Sequence, residues 1–91
     1  MPNGTKSNET WRVVVNKSAQ KQIDRIPDKD AKRISGEVEG MGYNPFLGDI
    51  VKLGDYRWRR RVGNYRIMYN ILPNQRVIFI YDIRRRTSST Y

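Results

Sequence analysis

The chain has no cysteine and no histidine. Without thiols it has neither disulfide staples nor thiolate metal sites, which sets aside the small bridge-stapled secreted scaffolds and fits a reducing compartment. Without imidazole, the commonest general acid–base group and metal ligand is missing too. No apolar run approaches the ~18 residues of a membrane span, and the polar opening MPNGTKSNET holds no signal-peptide core. A soluble, cytoplasmic protein without membrane contact is expected. There is no GxxxxGK[ST] loop, so nucleotide hydrolysis is not expected. Carboxylates are scarce where cations are dense: residues 1–50 hold eight Lys/Arg and seven Asp/Glu, whereas residues 51–91 hold ten and two. The net charge of +9 therefore belongs almost wholly to the second half. Such one-sided positive charge is the footprint of a surface for a polyanion, most simply a nucleic-acid backbone.

At 91 residues the chain reads as one small domain, residues 11–91, behind a flexible polar segment, residues 1–10. Trp11-Arg12-Val13-Val14-Val15-Asn16 has the β-branched content of a first strand. Ser18 is a suitable N-cap for a short helix carrying Ala19, Ile23 and Ile26 and closed by Pro27; Asp28 can cap a second, with Ala31, Ile34, Val38 and Met41 at helical spacing until Gly42 and Asn44-Pro45. Residues 43–55 read as a loop with a short extended piece near Val51. Strands follow at Tyr56–Val62, Tyr65–Leu72 and Val77–Ile83, separated by turns at Gly63-Asn64 and Pro73–Arg76. The order βααβββ predicts an α+β sandwich: an N-terminal strand, a helical hairpin and an antiparallel three-stranded meander, with the helices on one face of a four-stranded sheet.

Strand parity gives the basic residues a geometry. With Gly63-Asn64 as the turn, Val62 faces Tyr65 and the register runs 61 with 66, 60 with 67, 59 with 68, 58 with 69 and 57 with 70. Tyr56, Trp58, Val62, Tyr65, Ile67, Tyr69 and Ile71 then form a core floor beneath the helices, while Arg57, Arg59, Arg61 and Arg66 share the other side. Like charges side by side on a pleat are destabilising, and the sequence places no acid among them. With regular alternation, Val77, Phe79, Tyr81 and Ile83 join the arginine side, making a cationic wall with aromatic flanks suited to phosphates and bases. Arg60 falls on the core side, where it is expected to snorkel at the sheet edge.

The nine carboxylates lie mostly in the helical region and build neither a two-metal nuclease nor a paired-carboxylate hydrolase, so no metal or other cofactor is expected. Arginines plus a tyrosine can still cleave RNA. The 2′-hydroxyl is a built-in nucleophile that needs only in-line alignment and charge stabilisation on the phosphorane oxygens. Tyr91, in the basic tail, is the candidate base, its phenolate favoured by surrounding cations.

The stretch NPFLGDIVKLGDYRWRRRVGNYRIMYNI, with the final strand and the basic, tyrosine-ended IRRRTSSTY, resembles the RelE/ParE superfamily of toxins. The likeness covers the second half of the chain and, through the βααβββ order, nearly all of it. It implies the toxin of a type II toxin–antitoxin pair: a metal-independent endoribonuclease that cuts mRNA in the ribosomal A site and inhibits translation. It further implies catalytic roles for Arg57, Arg59, Arg66, Arg85 and Tyr91, with Arg86 as the alternative to Arg85. Lys52, Arg61, Arg84 and Arg86 would contact ribosomal RNA or message, and a RelB-like antitoxin would be the protein partner. A ParE-like gyrase poison and a non-catalytic RNA-binding module are the competing readings.

Overall fold

The structure, a computed structural model, describes residues 11–86. Its elements are β1 (Arg12–Val15), α1 (Lys17–Asp24), α2 (Asp28–Met41), β2 (Ile50–Lys52), β3 (Arg57–Val62), β4 (Tyr65–Leu72) and β5 (Val77–Arg85). Both helices pack against one sheet of order β1-β5-β4-β3-β2. β1 runs parallel to β5, and every other pairing is antiparallel. The α+β architecture with its helical hairpin is thus as expected, but the sheet has five strands rather than four. The extra one, β2, has three residues, two of them exposed, so no alternation of polarity announces it. Its pairing with β3, Val51 opposite Arg59, is what makes it a strand.

The helix starts also differ from expectation. Asn16, not Ser18, caps α1: its side-chain oxygen accepts from the Ala19 N–H at 2.8 Å. The chain reaches Asn16 in extended conformation, its N–H donating to the Ile80 carbonyl, so strand pairing decides which polar residue meets the helix. Asp28 is the first residue of α2 rather than its cap. Pro27 holds that position, and Asp28 and Asp30 set negative charge in the first turn, where the helix dipole favours it.

Beneath the helices, Ala19, Ile34 and Met41 meet Val62, Tyr65, Ile67, Tyr69, Ile71, Ile78, Ile80 and Ile83 in the core. Along β4 burial alternates strictly, with Tyr65, Ile67, Tyr69 and Ile71 inside. Gly63, at φ 58, is the first central residue of the β3–β4 turn, the position where a type II′ hairpin demands glycine. Tyr56 departs from its expected place in the core floor: it precedes β3 and is 55% exposed. Trp58 stays half-buried, edge-on to Phe46, which is edge-on to Trp11 in turn.

β5 departs from simple alternation as well. Met68 pairs with Asp82 but Tyr69 with Ile80, so Tyr81 is an extra residue, a β-bulge that reverses the parity of everything after it. Ile83, expected on the arginine side, is instead opposite Ile67 and buried in the core. The outer edge of β5 beyond Ile80 is covered by α1: the Gln22 side-chain oxygen Oε1 accepts from the Ile83 N–H at 2.7 Å, and the side-chain Nε2 donates to Asp82 at 2.9 Å.

Candidate nucleic-acid interface

The β3–β4 register is the expected one throughout, from Val62 opposite Tyr65 to Arg57 opposite Asn70. Residues opposite one another share a face, so the open-side arginines of β3 and β4 fall in three transverse rows. One is Arg61–Arg66–Arg84, a second Val51–Arg59–Met68–Asp82, and a third Arg57–Asn70–Phe79. The Arg86 N–H donates to the Asn64 carbonyl, continuing β5 by one residue and giving Arg86 the parity of Arg84. The guanidinium of Arg66 has its pKa lowered by partial desolvation and then by the fields of Arg59, Arg86 and Arg61, which places four guanidinia in one neighbourhood.

The face is not free of acids, as the sequence alone suggested. Asp49, on the loop before β2, lies 3.6 Å from the Arg61 Nε, both side chains well exposed. Asp82 is bonded to Arg84. Burial pushes the Asp82 carboxyl up, but the Gln22 amide, Arg84 and the Ile83 N–H outweigh it and leave the pKa below the usual carboxylate value. Both acids sit at the borders of the array. Arg57, Arg59 and Arg66 make no ion pair among the described residues.

Arg60, one residue from Arg59, belongs to another world. It does not snorkel to an edge but is 5% exposed, since α2 and the loop that follows it close over that side of β3. Its Nη1 meets Glu37 Oε1 of α2 at 3.1 Å, and its Nη2 donates to the carbonyls of Leu47 at 2.6 Å and Pro45 at 3.3 Å. One guanidinium thereby ties α2, the 43–49 loop and the sheet together. The fit is close: Gly48 has φ 108, and a Cβ there would stand 2.4 Å from Arg60 Nη1. Sequence reasoning overlooked this role; the signal was an arginine on the core parity with an unassigned carboxylate, Glu37, on the helix above.

Of the other anticipated residues, Lys52 pairs with Trp58 and takes the helix-side parity, its ammonium 5.9 Å from the indole centre. Arg85 is opposite Tyr65, also on the helix side, because of the bulge. Tyr91 lies outside the described residues. Arg57, Arg59, Arg61, Arg66, Arg84 and Arg86 therefore share the open side, and Lys52 and Arg85 do not.

Comparison with known proteins fits this architecture. A family profile described as the ParE toxin of type II toxin–antitoxin systems matches residues 13–89. A Methanocaldococcus jannaschii protein carrying the toxin name RelE1 is 30% identical over 81 residues, 84% of this chain and 90% of the relative. In the archaeal RelE–RelB complex of Pyrococcus horikoshii OT3, one chain superposes with a TM-score of 0.82 at 25% identity, over 88% of this chain and 99% of that one. The isolated RelE toxin of E. coli shares the fold, with a TM-score of 0.76 over 87% of each chain, at 11% identity.

Proposed function

This chain belongs to the RelE/ParE superfamily of type II toxin–antitoxin toxins, and from that premise we propose that it is a ribosome-dependent endoribonuclease that cleaves mRNA in the A site. The observation that carries the reading is a set of unpaired cations on the open face. Arg57, Arg59 and Arg66 share that face without an ion pair among the described residues, an arrangement that costs stability and suits a phosphate.

In the proposed reaction the 2′-oxygen attacks the adjacent phosphorus, the P–O5′ bond breaks, and a 2′,3′-cyclic phosphate and a 5′-hydroxyl result. No water and no metal is consumed in that step. Arg57 and Arg59 bracket the scissile phosphate, and Arg66 with Arg86 neutralises charge on the phosphorane oxygens. Arg86 takes the tail role in preference to Arg85 because its parity puts it beside Arg66. Guanidinium does not deprotonate, so the arginines stabilise charge rather than accept the 2′-proton. Tyr91 is the proposed base. The ribosome supplies in-line alignment that so sparse a set of side chains does not, with Arg61, Arg84 and Lys52 as contacts to its RNA. The protein partner is a RelB-like antitoxin, and the compartment is the cytoplasm.

Poisoning of gyrase is the second reading, favoured by the match to a profile described as ParE. One comparison separates them. Purified protein is added to programmed ribosomes, to naked RNA and to a gyrase supercoiling reaction, with cleavage mapped by primer extension. Cuts on the ribosome alone are expected; inhibited supercoiling without cuts would overturn the nuclease reading. Replacing Tyr91 by Phe should abolish cleavage, and retention would return the protein to a phosphate-gripping module.

A further inference from the structure

The bulge at Tyr81 sends Arg85 to the helix side, where it faces a cleft that the open-face chemistry does not use. This cleft, of about 250 Å³, lies between the α1–α2 connection and the ends of β4 and β5. Arg25 and Arg85 line it, over a floor of Ile26, Pro27, Tyr65 and Ile83. Among the described residues neither arginine has an ion-pair partner. Of the acids near the cleft, Asp30 accepts a hydrogen bond from the Tyr65 hydroxyl at 3.1 Å, and Asp82 is held by Gln22 and Arg84. Arg33 adds a further cation at the same end, its Nη1 3.0 Å from where a Gly63 Cβ would stand.

The cations form one band. From Arg66 and Arg84 on the open face it passes through Arg86, pinned by its N–H to the Asn64 carbonyl, to Arg85 and Arg25 on the helix side. A ligand following it must turn round the Gly63-Asn64 end of the sheet. Duplex nucleic acid, with a persistence length of about 150 base pairs, does not bend so sharply. A single strand does, and its phosphates suit guanidinia while a sugar or base rests on the apolar floor.

We propose that the Arg25–Arg85 cleft is a second phosphate site for single-stranded RNA, holding the strand after it leaves the open face and turns the sheet end. The proposal rests on the RNA reading of the open face and extends it to the opposite side of the sheet.

The test uses the full-length protein and unstructured oligoribonucleotides of about 4 and about 12 nucleotides, spanning the range of single-strand site sizes. Affinity is followed by fluorescence anisotropy across a salt series. R25A/R85A should bind the short oligomer as the unsubstituted protein does but bind the long one more weakly, with a log–log salt slope shallower by about 0.7 for one lost phosphate contact. R25K/R85K should keep the slope, and circular dichroism of both variants checks the fold. Equal slopes for the long oligomer in protein and R25A/R85A overturn the proposal while leaving the open face intact. Unchanged RNA binding with weakened capture of poly-glutamate overturns it in favour of an acidic protein partner. Failure of the unsubstituted protein to bind either oligomer brings down the open-face reading and this one together. R59A should weaken both lengths, and undiminished binding of the short oligomer by R59A would likewise overturn the open-face reading and this one with it.

Discussion

Arg59 and Arg60 are neighbours on one strand and show how differently a fold can use the same side chain. Arg59 faces solvent beside Val51 and Met68 with no ion pair among the described residues; Arg60, turned the other way, is buried with a carboxylate and two carbonyls. The first raises the energy of the folded state through repulsion from Arg66, and the second is a strut. Strand alternation alone separates the two roles, so a residue count cannot tell functional from structural arginines here whereas parity can.

Substitutions on the two sides should separate cleanly. R59A combined with R66A should lower ribosome-dependent cleavage by about 10³-fold or more, on the scale of losing charge-stabilising donors, without lowering the urea midpoint. A parallel loss of stability would erase the distinction. R60M should do the reverse. Breaking a buried pair costs about 3–5 kcal/mol, and since the Glu37 side chain is 43% exposed the low end, about 3 kcal/mol, is expected in chemical denaturation. Cleavage per folded molecule should be little changed.

G48A probes the same strut from its other side. The left-handed backbone and the clash with Arg60 should cost about 1–3 kcal/mol, and combining it with R60M should give less than the sum, because the clash is then gone. N16A, remote from both arginines, removes a cap and should cost about 1 kcal/mol; a cost as large as that of R60M would argue that the helices, not the strut, dominate.

The smallest effect concerns pH. The Asp82 carboxyl lies below its usual value in the folded state, so the stability it contributes is present above the unfolded carboxylate range and lost as pH falls through the folded value. D82N should therefore flatten the acid limb of a stability–pH profile. An unaltered limb would mean that the Gln22 and Arg84 bonds do not hold the carboxylate in solution.

Much of the site was legible beforehand because its rules are local. Alternation along β3 and β4, and a glycine turn that fixes their register, suffice to put Arg57, Arg59, Arg61 and Arg66 on one side. Where reading failed, contacts distant in sequence decided. Glu37, Pro45 and Leu47 reach Arg60 only after α2 and its following loop have folded over β3. The short β2 exists through pairing rather than propensity, and Asn16 caps α1 because β1 ends beside Ile80.

By itself, then, the sequence determined the charge imbalance, the helical hairpin, the β3–β4 register and the cationic side of that hairpin, since each follows from neighbours in the chain. Only the tertiary structure decided which side the last arginines take. The extra residue at Tyr81 is accommodated where β1 stops pairing and Gln22 takes over the edge of β5, and that displacement turns Ile83 inward, Arg84 and Arg86 toward the open face, and Arg85 away from it.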